Sequence, residues 1–295
     1  GVSVTLQSKV DADNVVLFTE VGEEEALEPP GYVFCLGSIP KTEAFTFLKW
    51  IAENDWDYEN KGPAKIGAAA WAEPSAIGFV QAIEEYSESH PDQFEFVGGY
   101  LTNFTFDWRN EAESLKECDY VFAPIMVHGF AEEFRNTGSE AKLIGGSPHT
   151  AFLKQVSDAG AWPLIDGMLI VYAGNWWSES GEEIAFQKSL LAQYHPGDEE
   201  EIVSGGSGYQ AITAYLKMLE IVEDAIQNAG AENFDSQALY DAAQSYSKSI
   251  DGRNAFSYSS FKRYLSNELL ILEASAEQED LIRNDPNWYP ILIEP

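Results

Sequence analysis

Short apolar runs alternate along the chain with longer stretches whose apolar positions recur every three or four residues. Strand-sized runs fall at residues 15–18, 32–36, 66–71, 94–97, 120–124, 143–146 and 168–172. Most of them do not alternate with polar residues, which is the pattern of a strand covered on both faces by helices. Between them the period becomes helical. Phe45, Leu48, Ile51 and Ala52 form one stripe. Ile77, Phe79, Val80, Ile83 and Tyr86 form another behind Glu73 and Pro74, where proline's missing N–H has no partner to lose. The longest stripe, Ile212, Tyr215, Leu216, Leu219, Val222 and Ile226, stops before Asn228 and Gly230, a natural helix end. Strands alternating with helices predict an α/β chain of βαβ units with mostly parallel sheets. From Glu182 to Ser247 three helical patterns follow with little strand between them, and strand-like runs return at 255–258 and 269–272. Late strands of this kind complete a part of the fold begun much earlier. The acidic, breaker-rich stretches 23–31 and 195–208 read as surface loops.

A length of 295 residues suits two domains. Seventeen Lys and Arg against 49 Asp and Glu leave a net charge of −32, which excludes nucleic acid and anionic membranes as partners. The same chain is 45% hydrophobic, enough for a packed core, so the charge describes a surface and not disorder. Cys35 and Cys118 lie far apart in apolar settings and read as buried free thiols. No apolar run reaches the roughly 18 residues of a membrane span.

The four histidines, His90, His128, His149 and His195, are dispersed and share no helix face, so no metal site is expected. No nucleophile elbow is present, neither cysteine has a catalytic signature, and no pair among the acids stands out. The glycine-rich run 204–209 lacks the Lys-Ser/Thr ending of a phosphate loop and reads as a flexible entry to a helix, with Ser207 as a candidate N-cap. We therefore expect no enzyme activity and no cofactor. In open α/β sheets ligands sit outside the carboxyl ends of strands. That rule gathers residues 21–23, 71–75, 126–128 and 147–149 with Trp176 and Trp177, and it predicts a cleft lined by aromatics with few fixed charges.

The order of these elements resembles the type I periplasmic binding proteins, specifically the branched-chain amino-acid class of ABC-importer solute receptors. The resemblance rests on the runs 14–19, 30–34 and 65–71 with Ile77, Gly78 and Phe79. It continues through Phe106 and Asp107, 118–122, 152–156, 166–168 and 209–211, collinear over nearly the whole chain. It implies a two-lobed α/β fold, each lobe a mostly parallel sheet flanked by helices, joined by three hinge crossovers near 36–40, 172–176 and 257–265. The lobes would be 1–38 with 173–256, and 39–172 with 257–295, the first lacking an initial strand–helix–strand–helix unit. It further implies an extracytoplasmic receptor, periplasmic or surface-tethered, that acts as a monomer. Such a receptor closes on a small solute and docks on an importer's permease subunits. The alternative is a ligand-sensing domain of the same fold in a signalling or regulatory system.

Carried over position by position, the family's carboxylate-gripping loop falls on Val21, Gly22 and Glu23. One aromatic position falls on Ser75, with Trp71 nearby as a substitute stacking wall, and another falls on Met126. The acid that pairs with an ammonium falls on Ser147. With that acid replaced, a neutral, aromatic or amide-like solute fits Trp71, Met126, Ser147, His149 and Tyr209 better than an ordinary leucine-type amino acid, within a class of small amino-acid-like, amide or aromatic molecules; Trp177 completes the candidate set, while Glu23 or Glu73 remains able to hold a cation by a different geometry.

Overall fold

A computed structural model describes residues 2–20 and 22–295. The chain opens with α1 (Val2–Asp13), β1 (Leu17–Thr19), α2 (Glu24–Leu27) and β2 (Val33–Cys35). It then runs through α3 (Pro40–Asn54), α4 (Tyr58–Lys61), β3 (Ala64–Trp71), α5 (Pro74–Ser89), β4 (Phe94–Thr102), α6 (Arg109–Leu115), β5 (Tyr120–Phe122), α7 (Val127–Asn136), β6 (Lys142–Gly145), α8 (Leu153–Asp158) and β7 (Leu169–Tyr172). Four helices follow, α9 (Glu182–Tyr194), α10 (Glu199–Ser204), α11 (Ile212–Ala229) and α12 (Ser236–Ser245). The chain ends with β8 (Ser247–Ile250), β9 (Arg253–Ser257), β10 (Glu268–Ser275), β11 (Asp280–Arg283) and β12 (Tyr289–Pro290).

The larger sheet has the order β11-β10-β7-β6-β5-β3-β4, and β12 also pairs with β10. β3 to β7 are parallel, whereas β10 runs antiparallel to β7. The late strands therefore complete a sheet begun 200 residues earlier, as the apolar run at 269–272 predicts. Alternate residues of β3 explain why both faces are covered. Ile66, Ala68 and Ala70 pack with Phe45, Phe79 and Ile83 of α3 and α5, while Ala69 faces Leu115, Phe130 and Phe134 of α6 and α7. Small residues on β3 let helices approach from both sides, and burying apolar area there favours the fold.

β1 and β2 form a separate parallel pair, and β8 and β9 a hairpin. Around them lies another core of Phe34, Ile221, Ala243, Tyr246, Phe256 and Leu265. The chain between β9 and β10 is stitched to β2: Cys35 N–H donates to the Arg263 carbonyl at 2.7 Å, and Leu265 N–H donates to Gly37 at 2.9 Å. Arg263, buried, donates to the Gly31 carbonyl, the Tyr240 hydroxyl and Gln244, and also to the Ser259 carbonyl. Its guanidinium stacks over Phe34.

Three local expectations change. Stretches 23–31 and 195–208 each hold a helical turn, α2 and α10, whose first-turn acids Glu24, Glu25, Glu199, Glu200 and Glu201 suit a helix N-terminus. The apolar stripe of α11 faces outward, leaving Tyr215 and Leu219 exposed, while Lys217, Ile221 and Ala225 turn inward. Alanines at 225, 242 and 243 let α11 and α12 approach closely, and that packing selects the face. Ser207 does not cap a helix, because its hydroxyl is engaged with Thr150 at 2.7 Å. Cys35 and Cys118 are free and buried, and burial pushes their thiols up to about 12 and about 11.

Arg263→Met keeps the apolar volume but removes the shared donor of several half-buried acceptors, so we expect a stability loss of about 1 to 3 kcal/mol in urea unfolding. A loss below about 1 kcal/mol would mean that these acceptors are satisfied without the guanidinium.

Candidate functional site

The carboxyl ends of β1, β2, β6 and β7 converge with the start of α5 and of α11 on a cavity of about 450 Å³. Glu20 follows β1, Gly37 and Ser38 follow β2, and Ser147 and Pro148 follow β6. Tyr172 ends β7, and Ser75 lies in the first turn of α5. The opposite wall is made by the 3₁₀ turn Ser207–Ala211 and by Lys217 of α11, with Phe256 beside them. Strand ends from both parallel sheets thus meet at one opening, where loops are free to vary and helix N-termini face inward.

The floor is built on Glu43, in the first turn of α3. It is 5% exposed, and its carboxylate accepts from the Ser147 hydroxyl at 2.6 Å, from Ser147 N–H at 3.1 Å, and from the Ser38 hydroxyl. Burial pushes this carboxyl above its ordinary range, and the hydrogen bonds from Ser147 and Ser38 oppose that shift. Gly146 leaves room for the carboxylate, since a Cβ there would stand 2.8 Å from Oε2.

His149 holds the turn that carries Ser147. Its Nε2 lies 2.9 Å from the Ala123 carbonyl and its Nδ1 3.1 Å from Gly146 N–H. The tautomer with the proton on Nε2 satisfies both. Burial lowers the imidazole's proton affinity, while the carbonyls of Ala123 and Gly146 oppose that.

Across the cavity Gln210 is fully committed. Its amide nitrogen donates to the Asn175 carbonyl at 3.0 Å and to Gln187 at 3.2 Å, and its oxygen accepts from the Tyr172 hydroxyl at 3.2 Å. Lys217 pairs with Glu183 at 3.1 Å and lies 4.1 Å from the Phe256 ring centroid. Burial lowers its proton affinity, and Glu183 opposes that. The two walls touch where Thr150 meets Ser207. Gly206 there has φ +106°, and a Cβ on it would sit 2.0 Å from the Thr150 carbonyl oxygen.

Of the residues singled out from sequence, Ser75 and Ser147 border this cavity. His149 stands behind Ser147 and positions it. Val21 lies outside the described residues. Gly22 is packed against Cys35 and Ile39. Glu23 accepts from Ser3 at 2.8 Å and borders a different, open hollow of about 720 Å³ between α2 and α5. Trp71 is not on the cavity wall: its indole N–H donates to the Thr105 carbonyl at 2.8 Å and its ring packs on Phe104 and Trp108. Met126 precedes α7. Trp177 is buried, donating to the Gly206 carbonyl at 2.8 Å, and Tyr209 packs against the same core and edge-on to His195. The expectation of few fixed charges is corrected by Glu20, Glu43 and Lys217. Glu43 was missed; the signal that could have found it is an acid on the helical face shared with Phe47 and Trp50, a breach of the apolar pattern.

No protein-family model matches the chain, and no curated protein is similar to it at a significant level. Solved structures are. A branched-chain amino-acid ABC transporter protein from Thermus thermophilus with bound valine superposes with a TM-score of 0.76 at 15% identity, over 98% of this chain and 75% of that one. A solute-binding protein of an ABC transporter from Rhodopseudomonas palustris HaA2, in complex with p-hydroxybenzoic acid, gives 0.74 at 13%, over 99% and 76%. A fatty-acid ABC transporter substrate-binding protein from Thermomonospora curvata gives 0.72 at 13%, over 96% and 71%. The fold is that of the type I periplasmic binding proteins.

Two outcomes follow from the geometry. Gly206→Ala should cost about 1 to 3 kcal/mol of stability, because it adds a clash to a backbone strained for an L side chain. Gly208→Ala, with nothing within 4 Å of the added carbon, should stay within about 0.5 kcal/mol in the same urea titration. For His149 the unfolded chain binds its proton near pH 6.5, whereas the buried imidazole resists until lower pH. The unfolded state then holds more protons, so wild-type stability falls as pH drops below that value, down to the depressed native pKa. His149→Gln should remove this component, read as a shallower loss between pH 7.5 and 5.5. Equal slopes would contradict it.

Proposed function

We propose that the chain is an extracytoplasmic solute receptor of an ABC importer, which binds a small molecule in the cavity without transforming it. The observation that carries this reading is the cavity itself, walled by the strand ends of two sheets and by the chain segments that connect them. The fold supports it, since structures that share it are described as ABC transporter proteins holding valine or p-hydroxybenzoic acid. In this reading residues 1–38 with 173–256 move as one lobe against 39–172 with 257–295. The bends would lie near 36–40, 172–176 and 257–265. Closure by such a hinge buries the solute and brings Thr150 against Ser207. The closed monomer is then the form that permease subunits recognise.

No helix among the described residues is long and apolar enough to cross a membrane, so in this scheme the membrane work belongs to the partner subunits. The class of solute is open to amino-acid-like, amide and aromatic molecules, for which Tyr172 and Phe256 offer ring faces and Ser75 and Ser147 offer hydroxyls.

A thermal-shift screen of amino acids, amides, aromatic acids and amines tests the proposal, because a ligand at 100 times its Kd stabilises by about 2.7 kcal/mol. Calorimetry on the hits should give one site per chain, with the solute recovered chemically unchanged. Consumption of the solute, or no stabilisation by any class, would overturn the proposal.

A further inference from the structure

We propose that Glu43 selects the solute, by receiving a cationic nitrogen of the ammonium or amidinium type inside the cavity. This rests on the solute-receptor reading and deepens it. Among the described residues every donor to the Glu43 carboxylate is neutral: two serine hydroxyls and one backbone N–H. No cation stands within ion-pair distance of it among the described residues. A buried carboxylate supported only by neutral donors keeps an uncompensated charge, and a buried charge is held best by a partner of opposite sign.

The cavity supplies no such partner from the protein. Its one lysine, Lys217, already has Glu183 as counter-ion and Phe256 as a ring partner. The nearby Lys41 is engaged by Glu24 and Glu85 on the outer side. Glu20 borders the same space and adds a second negative charge. The lining therefore carries two carboxylates against one ammonium that is itself neutralised from behind.

Glutamine in place of this acid would carry no charge. Both Glu43 oxygens accept hydrogen bonds, Oε1 from the two hydroxyls and Oε2 from Ser147 N–H. An amide NH₂ at Oε2 would face the Ser147 N–H, donor against donor, so an amide would turn its NH₂ toward the two serine hydroxyls, whose oxygens can accept. The ionised acid accepts from all three donors, keeps lone pairs for a solute and, unlike the amide, carries the charge that a cation would meet. An anionic solute would meet repulsion at the same place, and a neutral one would leave the carboxylate uncompensated. Tyr172, Phe256 and Pro148 give the remaining wall an apolar character, which suits a small hydrophobic amine.

The test uses three amine and acid pairs of similar shape: benzylamine with benzoate, phenethylamine with phenylacetate, and isopentylamine with isovalerate. Calorimetry on the wild-type chain at neutral pH and low salt should find at least one amine bound tenfold or more tightly than its paired acid. Glu43→Gln should reduce that preference at least tenfold. The wild-type ranking stands alone if the variant does not fold. Acids bound as tightly as their amines, no amine bound at all, or an amine preference kept in a folded Glu43→Gln would each overturn the inference. Binding of an acid in place of an amine would leave the receptor reading intact, since that reading requires a bound solute of any charge.

Discussion

A carboxylate taken out of water must be met by hydrogen-bond donors, and the site is arranged around the donors that Glu43 demands. The penalty for burying such an ion is several kcal/mol even after the surroundings relax. Ser38, from the segment that leaves the smaller sheet, and Ser147, from the turn after β6, meet it together. Their positions are thereby fixed relative to α3. His149 then ties the Ser147 turn to the end of β5, and Thr150 carries it to Ser207 on the far wall. One buried charge sets the floor of the cavity and, through that turn, the place where the two walls meet.

The opposite wall is rigid for a different reason. Gln210 uses both amide hydrogens and its oxygen on Asn175, Gln187 and Tyr172, leaving none of its polar groups to rearrange. Near Gly37 the two sheets are also tied through the backbone, where Cys35 N–H donates to Arg263 and Leu265 N–H donates to Gly37. The surface charge of −32 plays no part in this arrangement. What matters for a solute is the local sign inside the cavity, where acids outnumber bases.

Much of the fold was legible from the chain because strand and helix periods are local signals. The runs at 66–71, 120–124 and 168–172 became β3, β5 and β7, and the stripe from Ile77 to Tyr86 became α5. The orientation of α11 was not legible. Its sequence has two faces able to pack, and the choice depends on Ala242 and Ala243, far along the chain. The site was legible only in part. Ser75 and Ser147 follow from the rule that ligands gather at strand ends. Trp71 obeys the same rule yet turns to Phe104 and Trp108, because a strand-end indole with a carbonyl in reach at Thr105 is satisfied without a ligand. Glu43 is invisible to that rule, since it sits on a helix and enters the cavity from below. Its only local trace is an acid among buried residues of α3, a mismatch between pattern and chemistry of the kind that functional positions produce.

A crystal structure of the wild-type chain with its tightest-binding amine tests the central claim most directly. The account predicts the solute enclosed between the Ser147 turn and the Ser207 turn, with its nitrogen in hydrogen-bonding contact with the Glu43 carboxylate. A solute seated elsewhere, or one that leaves Glu43 bonded only to Ser38 and Ser147, would contradict it.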